Sequence, residues 1–224
     1  MHLILFDIDG TLVWTRGAGR AATEHAMLEV FGTCGALAAH KFGGKTDWQT
    51  LLDLLHEAGV SYADIERAMP AYNDAMARHL ARVISQFDVQ PCPGALDLVR
   101  SFVSRTDVGI GLVTGNVSST APIKLRAARF DPAWFAVGAY GSEAQERDHL
   151  PALAVARAAD HYGYPFAPRE VIVVGDTPAD VACARHIGAV AVAVQTGFAH
   201  PEELTAAQPD YLLRDLTEFS SVLR

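Results

Sequence analysis

Cysteine is scarce in this chain of 224 residues. The three present, Cys34, Cys92 and Cys183, lie far apart with no CxxC pair, so no disulfide framework is expected. Their odd count suits reduced thiols in a cytoplasmic protein. A basic run is also missing, and the formal net charge is -8, which argues against a nucleic-acid-binding surface. It does not bar a small anionic substrate, because a few local cations or a metal ion outweigh global charge within a cleft. No apolar stretch approaches the ~20 residues of a membrane helix, and no basic segment with an apolar stretch opens the chain, so neither a membrane partner nor a secretory signal is expected. Internal repeats and low-complexity tracts are lacking as well. The nine histidines are scattered without ligand spacing. Gly43-Gly44-Lys45-Thr46 invites a nucleotide-loop reading, but Ala39 stands where the P-loop pattern needs glycine, and no strand precedes it.

What is present is a composition half hydrophobic and one-fifth charged, enough for a sizeable core in one domain or in a core with an insertion. Leu3 to Phe6 is a continuous apolar run that ends in Asp7 and Asp9, followed by Gly10 and Thr11. Similar runs occur at 108–113, ending in Thr114-Gly115-Asn116, at 171–174, ending in Gly175-Asp176, and at 190–194, ending in Gln195-Thr196-Gly197. Continuous rather than alternating runs predict strands buried on both faces. Weaker strand signals cover 134–138 and 210–213. The segments 94–105, 148–163 and 178–187 have helical spacing, and this alternation predicts an α/β fold, a Rossmann-like parallel sheet with helices on both sides.

Residues 16–89 break the pattern. Helical spacing covers 19–31 and 46–58. Ser61 is a predicted N-cap with Asp64 three residues on, and Pro70 is expected to kink or divide the helix that follows before 72–84. Pro91, Pro93 and Gly94 mark the return to the sheet. The predicted organisation is therefore a core of residues 1–15 and 90–224 with an inserted all-helical cap of residues 16–89.

Two acids at the end of a buried strand are costly unless a cation or a reaction uses them, and ligand sites of open α/β sheets lie beyond the carboxyl ends of strands. Those ends gather Asp7 and Asp9, Thr114 and Asn116, Asp176 with Asp180, and Thr196. Asp7, Asp9 and Asp176 are hard oxygen donors suited to Mg²⁺, which keeps waters and accepts a substrate phosphate oxygen. A carboxylate cluster also calls for a cation against an anionic substrate, and Arg147 and Lys124 are the candidates. Lys45 and Asp47 fall in a cap loop that can face the site and touch substrate.

Asp7-Ile8-Asp9-Gly10-Thr11, the strand-end Thr114, and Gly175-Asp176-Thr177-Pro178-Ala179-Asp180 resemble motifs I, II and IV of the haloacid dehalogenase (HAD)-like hydrolases. The helical insertion stands where that superfamily's phosphatase-like members carry a C1 cap, and the resemblance spans essentially the whole chain. It implies a Mg²⁺-dependent phosphatase acting on a small phosphorylated metabolite as a monomer or homodimer, with phosphoglycolate a candidate substrate. Asp7 is the implied nucleophile and a metal ligand. Asp9 is the implied acid/base, with its main-chain carbonyl on the metal, and Asp176 is the third ligand. Thr114, Gly115 and Asn116 bind phosphoryl oxygens, and Asp180 orients waters or the basic residue. The motif III cation is Arg147 or Lys124, with Arg147 favoured by its place before the helix that precedes motif IV. A sugar phosphomutase of the β-phosphoglucomutase kind shares Asp7 and Asp9 and is the main alternative. Asp9 argues against a dehalogenase. A phosphonatase would need a cap lysine, for which Lys41 and Lys45 are available. A non-catalytic binding protein would be expected to have lost one of the acids.

Overall fold

A computed structural model describes residues 1–223; residue 224 of the predicted core segment lies outside the described residues. In chain order the elements are β1 (His2–Phe6), β2 (Val13–Trp14), α1 (Ala18–Phe31), α2 (Asp47–Leu55), α3 (Tyr62–Val83), β3 (Gln90–Pro91), α4 (Ala95–Val103), β4 (Val108–Thr114), α5 (Ala121–Ala127), β5 (Val137–Tyr140), α6 (Leu150–Tyr162), β6 (Val171–Gly175), α7 (Pro178–His186), β7 (Val190–Val194), α8 (Pro201–Ala206) and β8 (Tyr211–Leu213).

Six strands form one sheet in the order β5-β4-β1-β6-β7-β8, every neighbouring pair parallel. The strands are buried on both faces, as their unbroken apolar runs predict. Ile4, Phe6, Ile110 and Leu112 pack on one side with Val99, Phe102 and Leu125 of α4 and α5. Leu3, Leu5, Val171 and Val173 pack on the other with Leu150, Ala154 and Val181 of α6 and α7. The chain leaves β1 toward β4 on one side and returns to β6 on the other, so β1 borders the switch point where a crevice opens. Register sets what lies there. Phe6 pairs with both Leu112 and Val174, so Asp7, Thr114 and Asp176 emerge within one residue of the same level.

Helices α1, α2 and α3 enclose a core of their own, built on Ala22, Ala26, Leu51, Leu54, Tyr72 and Leu80. They form the inserted helical cap. Its two connections to the sheet are joined by a short antiparallel ribbon, Val13 opposite Pro91 and Trp14 opposite Gln90, which the sequence pattern does not signal.

Three expectations are corrected. Pro70 does not divide its helix: α3 runs unbroken for 22 residues, opened by the predicted Ser61/Asp64 capping box. An interior proline costs about 3 kcal/mol. Ile65, Met69, Tyr72, Met76 and Leu80 hold both halves of α3 against the cap core, and each buried side chain is worth about 1.5–3 kcal/mol, so packing wins. The weak strand signal at 134–138 lies too early, because Pro132–Trp134 form a 3₁₀ turn and β5 begins at Val137. The helix expected from 148 begins at Leu150, after a 3₁₀ turn over Arg147–His149. Among the described residues, no helix is long and apolar enough to cross a membrane.

Candidate active site

Asp7 follows β1 directly, its backbone N–H on the carbonyl of Val174, and its side chain is buried. Beside it stand Asp176 after β6 and Asp180 in the first turn of α7. Carboxylate oxygens of the three residues lie within 4.8 Å of one another. Asp176 occupies a backbone cradle. The hydroxyl of Thr11 donates to its Oδ1 at 3.2 Å and the N–H of Phe198 to its Oδ2 at 2.7 Å. Gly10 has φ of +85°, and a Cβ there would fall 2.5 Å from Asp176 Oδ2, so the turn that follows the first acids needs glycine. Asp180 caps α7 by accepting from the N–H and hydroxyl of Thr177 at 3.0 and 2.7 Å.

Arg147 reaches this cluster from the 3₁₀ turn before α6. Its Nη2 lies 2.5 Å from Asp180 Oδ1 and 3.2 Å from Asp7 Oδ2, while its Nε is buried without a partner. Lys124, from α5, takes a separate place. Its Nζ lies 2.5 Å from both Asp9 Oδ2 and Asn116 Oδ1. Asn116 Nδ2 donates to Asp9 Oδ2 at 2.8 Å and to Thr114 Oγ1 at 2.7 Å, and Thr15 Oγ1 donates to Asp9 Oδ1 at 3.0 Å. The two basic candidates therefore both belong to the site and divide it, Arg147 on the Asp7 side and Lys124 on the Asp9 side.

Electrostatics separates the two acids of the opening motif. Burial raises the Asp7 carboxyl to about 6, with Arg147 opposing and Asp180 and Asp9 adding to the rise. Burial also pushes Asp9 up, but the charge of Lys124 and hydrogen bonds from Lys124, Asn116 and Thr15 hold it below the usual carboxylate value. Asp176 is raised well above its ordinary value by burial, then by Asp180 and Asp7. In Arg147, burial is outweighed by Asp180 and Asp7, which hold its proton more firmly than usual.

The three clustered carboxylates fit a divalent cation. They are hard oxygen donors, they are buried, and two of them are raised by crowding and desolvation that a cation would offset. The carboxylate of Asp9 is not one of the three, because Lys124, Asn116 and Thr15 hold it elsewhere; its expected part in a metal site is confined to the main-chain carbonyl. Asp180, expected to orient waters or the basic residue rather than to bind a metal directly, pairs with Arg147 and also stands among the clustered oxygens. His149, Glu146 and Asp148 also gather, at the surface.

A cavity of about 680 Å³ opens above these groups. Its floor includes Asp7, Asp9, Thr114 and Arg147, and the cap supplies Arg20, Met76 and the segment 40–45. Lys45 lines it, but its Nζ is 2.6 Å from Asp53, an ion pair within the cap. Asp47 also lines the cavity, yet its Oδ2 accepts from the backbone N–H of Val117 at 2.8 Å. A second cavity, of about 570 Å³, lies against Glu29, Asp64, Arg67 and Arg78 of α1 and α3, where these charges pair with one another.

Sequence reasoning did not single out Thr15, the hydroxyl of Thr11 or the N–H of Phe198. Thr11 and Thr15 were within reach as hydroxyls in the stretch that leaves β1. A backbone N–H carries no residue-type signal at all.

A profile of the HAD-hydrolase-like family matches residues 150–219, the stretch that contains Asp176 and Asp180. The chain is 29% identical to a phosphoglycolate phosphatase of Synechococcus elongatus, over 95% of this chain and 92% of that protein. It is 21% identical to pyrophosphatase PpaX of Oceanobacillus iheyensis, over 100% and 97%. The crystal structure of a hydrolase from Pseudomonas syringae superposes with a TM-score of 0.73 at 24% identity, covering 100% of this chain and 98% of that one. The family profile, the curated relatives and the shared fold all point to the HAD-like hydrolases as the proteins this chain is similar to. The shared fold and the clustered aspartates support an enzymatic hydrolase activity.

Proposed function

We propose that this chain is a HAD-like hydrolase, a Mg²⁺-dependent phosphatase that cleaves a small phosphate monoester through an aspartyl-phosphate on Asp7. One observation carries the reading: a strand-end carboxylate stands with a guanidinium at 3.2 Å, two further carboxylates beside it, and a second acid two residues on in a hydrogen-bonded socket of its own. The core of residues 1–15 and 90–224 supplies the chemistry, and the cap of residues 16–89 shapes the substrate space.

The ionised Asp7 carboxylate attacks phosphorus, and the bond from phosphorus to the ester oxygen breaks. Asp9, held as a carboxylate by Lys124, Asn116 and Thr15, takes up the proton of a monoanionic ester and passes it to the leaving oxygen. It then takes a proton from the water that attacks the aspartyl-phosphate, releasing inorganic phosphate and restoring Asp7. Arg147 faces the charge that develops on the transferred group and is the motif III cation in this reading; its unpartnered Nε offers a further donor. Thr114 Oγ1 and the amides of Gly115 and Asn116 bind the phosphoryl oxygens. Mg²⁺, held by Asp7, Asp176 and the Asp9 carbonyl with Asp180 beside them, supplies positive charge against repulsion between an anionic nucleophile and an anionic ester.

The curated relative from S. elongatus supports phosphoglycolate as a substrate. The three free cysteines support a reducing, cytoplasmic location. The enclosing cap also suits a sugar phosphomutase, which must keep water from the phosphoenzyme. Turnover of glucose 1-phosphate to an isomer rather than to free phosphate would favour that reading.

A panel of phosphate monoesters with and without Mg²⁺, run beside Asp7→Asn, tests the proposal. Turnover is expected to require the metal and to fall at least about 10³-fold in Asp7→Asn. Metal-independent turnover, or full activity in the variant, would overturn it.

A further inference from the structure

Asp47 belongs to the cap, yet among the described residues its hydrogen bonds outside its own helix go to the core loop that follows β4. Its backbone N–H donates to the carbonyl of Gly115 at 2.7 Å, and its carboxylate Oδ2 accepts from the N–H of Val117 at 2.8 Å. Those two anchor points flank Asn116. The neighbouring residues tighten the same junction: Thr46 Oγ1 donates to the carbonyl of Gln145 at 2.9 Å, and the N–H of Trp48 reaches the carbonyl of Gly141 at 3.4 Å. The approach is close enough that a Cβ on Gly115 would fall 2.0 Å from the carbonyl oxygen of Lys45. Between the anchors, Asn116 presents its amide to Asp9 and Thr114 and its carbonyl oxygen to Lys124.

We propose that Asp47 is a positioning residue, a cap-borne clamp that spans Gly115 to Val117 and sets Asn116 against Asp9, so that closing the cap and assembling the acid/base socket are one event. The inference rests on the proposed phosphatase reading for its consequence, though not for its geometry. A carboxylate in the first turn of α2 also suits the helix dipole, which is worth about 0.3–1 kcal/mol at an exposed site. That role needs no contact with Val117, and it depends on charge. The clamp depends on an acceptor oxygen.

The test measures kcat and KM of the full chain at saturating Mg²⁺ for two esters with unlike leaving groups, phosphoglycolate and p-nitrophenyl phosphate. The variants are Asp47→Ala, Asp47→Asn, Asn116→Ala and the double Asp47→Ala/Asn116→Ala. Asp47→Ala is expected to lower kcat on the order of 10-fold, by the same factor for both esters, with KM within about 2-fold. Asp47→Asn keeps an oxygen for Val117 and is expected to recover most of the loss. In the Asn116→Ala background, Asp47→Ala should add nothing.

A loss that differs between the esters would make Asp47 a substrate contact and overturn the clamp. So would losses that multiply in the double variant, or a change in thermal midpoint with kcat intact. Hydrogen exchange at the Val117 amide of the unaltered protein, by NMR, needs neither a variant nor turnover. Protection is expected, and exchange at the rate of an open loop would overturn the clamp even if no ester is hydrolysed. Protection in a protein that hydrolyses no ester would instead leave the clamp standing and remove the phosphatase reading.

Discussion

Asp7 carries a conflict that only its function explains. The fold raises its carboxyl from 3.8 to about 6, mainly through burial, while the proposed chemistry needs it ionised. A group raised on folding contributes stability that is fully present below its unfolded value and is lost as pH rises through the folded value. In metal-free buffer, the stability that Asp7 lends below about pH 4 should therefore be gone above about pH 6. Asp7→Asn does not titrate. Its stability relative to the unaltered protein should climb across that window, reaching on the order of 1–3 kcal/mol above it. Urea midpoints with chelator present at three pH values check this, and a gap that does not change with pH would contradict it. Arg147 and Lys124 part at the same scale. Arg147→Ala removes the cation beside Asp7 and should lower kcat about 10²-fold or more. Lys124→Ala leaves Arg147 in place, so it should act on the Asp9 side and change the acid limb of the pH–rate profile rather than abolish turnover. Equal profiles for the two variants would contradict the division.

Among the elements, those with unbroken apolar runs were legible in the sequence, and α3 was legible only in part. Ser61 and Asp64 marked its start, but Pro70 argued for a break that tertiary packing overrides. Replacing Pro70 restores a backbone donor to a helix whose buried face already holds it together. Pro70→Ala should therefore stabilise the protein by about 1–2 kcal/mol, the helix gain less the lost restraint on the unfolded chain. Chemical denaturation measures it, and a destabilised variant would show that α3 needs the proline. The ribbon of β2 and β3 went unseen for another reason. Two-residue strands have no periodicity, and Gln90–Pro91 reads as a loop until Val13–Trp14 is laid beside it.

At the scale of the molecule, the sheet places the chemistry because register brings three strand ends to one level, and the residues there were readable as polar groups closing apolar runs. What sequence could not show is which group pairs with which. Lys124 and Arg147 are both basic residues near the site, and only the fold sends one to Asp9 and the other to Asp7. Asp47 and Val117 lie 70 residues apart, and one partner is a backbone N–H. The cap thus enters the site through contacts with main-chain groups of the core, which leave little trace in residue type there, and this is also why residues 16–89 do not disclose the ester they admit.

In the proposed reaction Asp7 becomes phosphorylated. Rapid quenching of enzyme mixed with Mg²⁺ and a turned-over ester, followed by peptide mass mapping, tests it most directly. One phosphoryl group on the peptide that carries Asp7, formed and lost at rates consistent with turnover and absent in Asp7→Asn, is the predicted result. Phosphate release with no protein-bound phosphoryl group, or with the group on another residue, would contradict the account.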